Sequence, residues 1–186
     1  ETVSEPGFIQ EVRFNLRFND VLLARLQDNM VSVELVCSEL IDDPPPTADF
    51  NLMGLLNTLL LCAQREQYQL SGLDQLAATA TRYFQAAKSD ASMVWSACSV
   101  GQSLLLVGRT SAARTRYTKA MSRASQLPGH NSSLLALPAV LMAELHLECF
   151  ELDEARELIS RHLPYARELG LVDGLIAGYL TKARLE

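Results

Sequence analysis

The stretch FELDEARELISRHLPYARELG (residues 150–170) has the pattern of one amphipathic helix that ends at a glycine. Its apolar side chains recur every three or four positions from Leu152 to Leu169, so they share one side of an α-helix. Acidic residues lie in its first turn and Arg167 lies near its end, as the helix dipole favours. The stretch contains no nucleophile signature and no set of metal ligands. It therefore predicts one unit of a helical scaffold rather than a part of an active site.

A similar pattern begins at Gly108, in GRTSAARTRYTKAMSRAS (108–125). Aligned with residues 150–167, it places identical residues opposite each other: Ala113 with Ala155, Arg114 with Arg156, and Ala124 with Ala166. The turns of successive helix pairs also recur about every 40 residues, at Asp28, Tyr68, Gly108 and Phe150. A helix-pair repeat of this length is typical of an α-solenoid, in which each pair buries one face against the next. The predicted fold is therefore all-α, a tetratricopeptide-like α-solenoid of about four and a half helix hairpins.

Helical spacing of apolar residues extends over almost the whole chain. The predicted helices lie at roughly 8–26, 29–41, 48–66, 71–87, 91–107, 110–126, 133–149, 152–169 and 172–185. One stretch disagrees, because EVRFNLRF (11–18) alternates apolar and polar residues as a strand does. Since its surroundings are helical and no partner strand is visible, we interpret it as helix. The ninth helix is apolar on one side and lacks a hairpin partner, so we expect this face to meet another helix or another chain.

The composition suits a single helical-repeat domain over 1–186. The chain has 186 residues, of which 48% are hydrophobic and 20% are charged, which allows a real core and argues against disorder. Its net charge of −6 makes it a poor candidate for binding nucleic-acid phosphates. Residues 91–108, a long uncharged run, are too few and too polar to span a bilayer well. Because the chain begins at Glu1, we expect a fragment of a longer protein.

The four cysteines are far apart and form no CxxC pair. Each lies in an apolar helical stretch: Cys37, Cys62, Cys98 and Cys149. Buried, reduced thiols in a cytoplasmic protein are the simplest interpretation of this pattern.

The C-terminal third, LHLECFELDEARELISRHLPYARELGLVDGLIAGYLTKARLE (145–186), resembles the helical-repeat region of large ATP-dependent LuxR-type bacterial transcriptional regulators. The runs ELDEAR, LPYARELGLVD and AGYLTKARLE are similar to the boundaries of that family's repeats, and residues 104–124 are similar more loosely. In this family a nucleotide-binding module precedes the repeats and a helix-turn-helix domain follows them. The sequence shows neither a GxxxxGK[ST] phosphate loop nor a terminal basic helix-turn-helix.

The resemblance therefore implies a non-enzymatic sensor or interaction region, with ATP and DNA bound by other domains. Such a region would bind a small-molecule inducer or a protein partner and contribute to self-association. A homo-oligomer through helix 172–185 is a further expectation, whereas contact with nucleic acid or membrane and a cofactor of its own are not expected. The alternative is a stand-alone tetratricopeptide-like adaptor that binds a peptide or helix of another protein.

In α-solenoids the first helices of successive pairs line the concave face, which is the usual binding surface. Trp95, the only tryptophan, lies on such a predicted helix, with Ser99 and Gln102 on its following turns. An aromatic side chain with polar neighbours is suited to seat a ligand or a partner segment. Asn57 and Gln64 lie on the preceding first helix and are predicted to share this groove. The alternative is that Trp95 belongs to the core.

Three other residue groups suggest chemistry less specifically. His146 and Cys149 lie three positions apart and are a metal-ligand pair for a hydrolase, although a packed helix end is the simpler interpretation. NSS (131–133) matches a glycosylation acceptor, although helix capping explains it as well. The last group is a set of acidic residues with two interpretations, a glycosidase-like carboxylate pair or, more simply, a solvated helix face. Its members are Glu144, Glu148, Glu151, Asp153, Glu154 and Glu157.

Overall fold

The computed structural model describes residues 5–127, 132–169 and 172–186. Every regular element in these ranges is an α-helix: α1 (Glu5–Leu26), α2 (Met30–Asp42), α3 (Phe50–Glu66), α4 (Leu73–Ala87), α5 (Asp90–Leu106), α6 (Thr110–Gln126), α7 (Ser132–Glu148), α8 (Leu152–Leu169) and α9 (Val172–Leu185). The strand-like stretch 11–18 lies inside α1, so its interpretation as helix is confirmed. The all-α prediction is confirmed as well.

The helices form two compact units, Glu1–Ser89 and Asp90–Glu186. In the first unit α1 packs on α2, α2 on α3, and α3 on α4. In the second unit α7 packs on both helices of the α5–α6 hairpin, and α9 packs on both helices of the α7–α8 hairpin. Each new first helix in this unit therefore covers the hairpin before it, which is the arrangement of a helical-repeat fold.

The four turn residues that recur in the sequence share one backbone conformation. Their φ angles are all positive: Asp28 56°, Tyr68 59°, Gly108 75° and Phe150 61°. At the third turn the Arg109 N–H donates to the Leu104 carbonyl at 2.8 Å, and the Gly108 N–H donates to the Leu105 carbonyl at 2.9 Å. This pair of bonds is a Schellman motif, which satisfies carbonyls of the last helical turn and stops the helix. The same two bonds close the helices that end before Asp28, Tyr68 and Phe150.

Two hairpins depend on a glycine in the first helix that faces an aromatic ring in the second. A Cβ atom at Gly54 would lie 2.5 Å from Phe84 Cε1, and one at Gly101 would lie 2.2 Å from Tyr117 Cε1. Both rings are fully buried. A side chain at either glycine would therefore have to push the ring or the helix away, because interiors are packed without spare room.

The apolar stripe of α8 forms the core of the α7–α8 hairpin. Its residues Ile159, Leu163 and Ala166 cluster with three small or branched residues of α7: Ala136, Val140 and Ala143. Ala155 is also fully buried. Leu152, which the sequence pattern placed on the same stripe, is instead 38% exposed, because it is the first residue of the helix. The side chain of Leu169 and the residue Gly170 lie outside the part of the chain that the structure describes.

All four cysteines lie within the described residues; they form no disulfide, and three of them are buried. Burial raises the pKa of Cys37 to about 12, and it raises the pKa of Cys98 as well. Cys149 is the first residue after α7 and is half-buried. The prediction of buried thiols is therefore confirmed for Cys37, Cys62 and Cys98.

Replacing Gly101 with Ala should lower the free energy of unfolding by about 1–3 kcal/mol, the usual cost of overpacking a core. Alanine is the better helix former by about 1 kcal/mol, so a loss of stability would isolate the clash with the Tyr117 ring. Urea denaturation followed by circular dichroism measures the change. In a Tyr117→Leu background, which lacks the ring, the same substitution should cost less. An equal cost in both backgrounds would contradict the assignment.

Substitutions at two of the left-handed turns should affect the stability of the fold in different ways. Gly108→Ala meets no atom within 4 Å of the new Cβ, so only its φ of 75° matters, and it should cost about 1 kcal/mol. Phe150→Gly should leave stability unchanged or raise it by up to about 1 kcal/mol, because the 87% exposed ring loses little packing and glycine relieves the strained φ. Thermal and urea unfolding compare the two variants. A marked loss with Phe150→Gly would show that the ring has contacts that stabilise the fold.

Candidate functional site

Two of the predicted groove residues lie on α3, in the first unit. Asn57 is buried, and its side-chain amide donates to the Met53 carbonyl of the preceding turn at 2.8 Å. Gln64 is half-buried, and its Nε2 donates to Glu34 Oε1 on α2 at 3.2 Å. Asn57 is therefore engaged with its own helix, whereas Gln64 joins α3 to α2.

The other three groove residues lie on α5, in the second unit. Ser99 is buried, and its hydroxyl donates to the Trp95 carbonyl at 3.3 Å. Trp95 and Gln102 are half-buried, so part of each side chain reaches solvent. Within this set, Gln64, Trp95 and Gln102 are the side chains with access to a ligand, and the arrangement of all five around one groove stays a prediction.

His146 and Cys149 lie at the α7–α8 turn, as the sequence predicts, but the His146 ring is engaged by an ion-paired carboxylate. The Arg114 guanidinium of α6 donates to Glu151 Oε2 at 2.7 Å, and His146 Nδ1 contacts the same oxygen. The hydrogen bond from Arg114, and after it the one with His146, lowers the pKa of Glu151 below its usual value. A guanidinium beside the carboxylate opposes a divalent cation, so the geometry favours an ion pair that fixes the turn to α6.

Among the described residues, no group of three or more His, Cys, Asp or Glu side chains is suited to hold a metal ion. The asparagine of the glycosylation-like stretch 131–133 lies outside those residues.

The acidic residues of α7 and α8 are mostly engaged with arginines or exposed. Glu148 pairs with Arg184 of α9, and Asp153 pairs with Arg156 at 3.1 Å. Burial, and to a smaller extent Glu148, raises the pKa of Glu144. Glu154 and Glu157 are exposed on α8. This distribution fits a charged helix surface crossed by ion pairs better than two carboxylates flanking a sugar ring.

The structure adds a groove of about 520 Å³ between α8 and α9. Its apolar lining includes Ile159 and Leu163 of α8, and Tyr179 and Leu185 of α9. Polar groups at its border are mainly cationic: Arg156, Arg167 and Lys182, with Glu186 near Lys182 at 3.7 Å.

Beside this groove, α9 exposes much of its apolar surface. Val172 is 64% exposed, Ile176 54% and Leu180 60%. The apolar spacing of residues 172–185 predicts this face. The arginines of α8 at its border carry no such signal, because their spacing is ordinary for a solvated helix.

The chain matches no protein-family model, and neither a curated protein nor a solved structure is significantly similar to it. The resemblance to LuxR-type regulators therefore stays a prediction. No helix among the described residues has the length and hydropathy to cross a membrane.

His162 should make stability depend on pH in a narrow window. It is buried on α8, and burial, followed by the charge of Arg161, lowers its pKa from 6.5. The folded state thus keeps the ring neutral, while the unfolded chain takes up a proton below about pH 6.5. The resulting stability is fully present above pH 6.5 and is lost as the pH falls from there through the folded-state pKa.

Melting temperatures measured from pH 7.5 to 5.5 test this expectation, because carboxylates titrate mainly below this range. The wild type should lose stability across the window, and His162→Gln should lose less. Parallel curves for the two proteins would contradict it.

Proposed function

We propose that this chain is the sensor or interaction region of a LuxR-type, ATP-dependent bacterial transcriptional regulator. The repeated helix hairpin supports this proposal most directly, since the same left-handed turn closes a first helix four times at about 40-residue intervals. Repeats of this kind provide extended surfaces for binding rather than a set of reacting groups. The resemblance of residues 145–186 supplies the particular class of regulator.

The mechanism is an indirect one. An inducer or a regulatory protein binds to the first helices, at Gln64 or at Trp95 and Gln102, and favours one of two states of the whole regulator. ATP and DNA are bound by domains outside these 186 residues, and this region needs no cofactor. The proposed location is the cytoplasm, where the DNA of a bacterium lies.

The α9 face favours one alternative, a tetratricopeptide-like adaptor that binds a peptide or a helix of another protein. The apolar exposure of Ile176 and Leu180 is the specific observation behind it. The gene that encodes this chain separates the two proposals. A phosphate-loop module upstream and a helix-turn-helix downstream support the regulator, whereas a coding sequence that ends near residue 186 contradicts it.

Ligand binding near α5 should change the fluorescence of the protein, because Trp95 is its only tryptophan. Titration with a panel of sugars, amino acids, nucleotides and short peptides should find a compound that shifts the emission. Gln102→Ala should then weaken its binding about 3- to 10-fold, the effect of losing one hydrogen bond.

Gln85→Ala, which changes an exposed glutamine of α4, is the matched control and should bind normally. An emission change that survives Gln102→Ala undiminished would place the ligand elsewhere.

A further inference from the structure

Charged side chains of opposite sign are segregated along this chain. Residues 26–64 contain six acidic residues and no lysine, arginine or histidine. Residues 91–143 contain no aspartate or glutamate, and all of their arginines and lysines lie on α6 or directly before it: Arg109, Arg114, Arg116, Lys119 and Arg123. A chain with a net charge of −6 therefore has one purely acidic stretch and one stretch whose charges are all positive.

The acidic stretch places two carboxylates at the end of α2. Asp42 is the last residue of the helix and Asp43 is its C-cap; both are exposed, and the last turn contains no basic residue. Negative charge at a helix C-terminus is unfavourable, because the helix dipole is negative there. Neither carboxylate has an ion-pair partner within the described residues. An added cation would therefore stabilise this end of α2.

The two aspartates precede a stiff loop, because residues 44–46 are all proline. Pro45 is buried, and each pyrrolidine ring fixes the φ angle of its residue. The Thr47 hydroxyl also ties the loop to α1, since it donates to Glu11 Oε2 at 3.4 Å. A contact through the two carboxylates would therefore cost little backbone entropy.

The basic stretch places three cations on one side of α6. Arg116, Lys119 and Arg123 are three and four positions apart, so they are neighbours on the helix surface. Lys119, Ser122 and Arg123 are exposed and line a depression of about 460 Å³. Arg123 pairs with Asp90, whereas Arg116 and Lys119 have no ion-pair partner within the described residues. Two of the three cations are therefore available to an anionic partner.

We propose that this side of α6 binds the Asp42 and Asp43 carboxylates of a second copy of the chain. In this contact the two carboxylates of one copy accept hydrogen bonds from Arg116 and Lys119 of the other. The charges that each copy leaves unpaired are thereby paired, and the end of α2 gains the cations that its own last turn lacks. The contact uses neither α9 nor the groove beside it, so it is independent of association through residues 172–185.

The overall charge disfavours nucleic acid as the occupant of α6. A chain with a net charge of −6 repels a polyanion at long range, and five cations on and beside one helix are opposed by six acids in residues 26–64. A second copy instead brings the complementary charge on a short, stiff segment.

Sedimentation velocity of the full chain over a range of protein concentrations tests the proposal. At low salt the sedimentation coefficient should rise with concentration, and at high salt it should stay at the monomer value. The reason is that the Debye length falls from about 30 Å at 0.01 M to about 3 Å at 1 M salt. A coefficient that does not change with concentration at low salt would overturn the proposal. Association that high salt leaves unchanged would overturn it as well, because an apolar contact would then be responsible.

Charge reversal tests the two surfaces separately. Arg116→Glu combined with Lys119→Glu should weaken self-association at least about 10-fold, because like charges then face each other. Asp42→Lys combined with Asp43→Lys should weaken it to a similar extent. The second variant adds four positive charges, which takes the net charge from −6 to −2 and lowers the overall repulsion between copies. A loss of association in that variant therefore reports the local contact.

The matched control is Arg161→Glu combined with Lys182→Glu, at exposed cations of α8 and α9. It changes the net charge by the same amount as the α6 variant and should associate normally. An equimolar mixture of the α6 variant and the Asp-to-Lys variant should associate again, because each supplies the charge that the other lacks. Circular dichroism checks that each variant is folded before mixing.

Three further results would overturn the proposal: association that survives either reversal, a mixture of folded variants that stays monomeric, or a control variant that loses association as the α6 variant does. A DNA duplex provides a fourth. If it binds the wild type but not the α6 variant, while the wild type stays monomeric, this side of α6 binds nucleic acid instead.

Discussion

The hairpins depend on a helix that stops abruptly at a residue with positive φ. When Gly108 or Phe150 adopts this conformation, the last carbonyls of the first helix are satisfied locally, and the second helix begins two residues later, at Thr110 or Leu152. Because the connection is so short, the two helices that it joins pack antiparallel to each other. Phe150 is a costly residue for this conformation, and its persistence shows how strongly the surrounding helices determine the turn.

A fixed turn also fixes which residues meet across the hairpin. In α5–α6 this register places Gly101 under the ring of Tyr117, and in α3–α4 it places Gly54 under Phe84. A small residue and a ring then occupy the volume that two medium side chains would fill elsewhere, so neither partner can change size alone. The α7–α8 hairpin reaches a similar closeness with Ala143, Ala155 and other small residues.

The sequence predicted the fold well because the same signals recur along it. Helix bounds agree with the structure to within three residues, since apolar periodicity and short turns both mark them. The candidate site was less predictable. The spacing predicts that Asn57 and Ser99 are available for a ligand, but small polar side chains in apolar helices commonly donate to a carbonyl one turn back, as both do here. Burial of this kind depends on the packing of other helices, which the spacing along one helix does not reveal.

Ion pairs between helices affect the register of helix packing more than the stability of the fold. Arg17 of α1 pairs with Glu39 of α2, Arg123 of α6 with Asp90 of α5, and Arg184 of α9 with Glu148 of α7. All are solvent-exposed, so each adds little to stability. Their value lies in selecting one register among several apolar packings, because a shifted helix would leave like charges opposed. Arg156 has the same side chain and repeat position as Arg114 but pairs only within α8 among the described residues. The arginine at this repeat position therefore joins α6 to the α7–α8 turn in one hairpin, whereas in the next it binds a residue of its own helix.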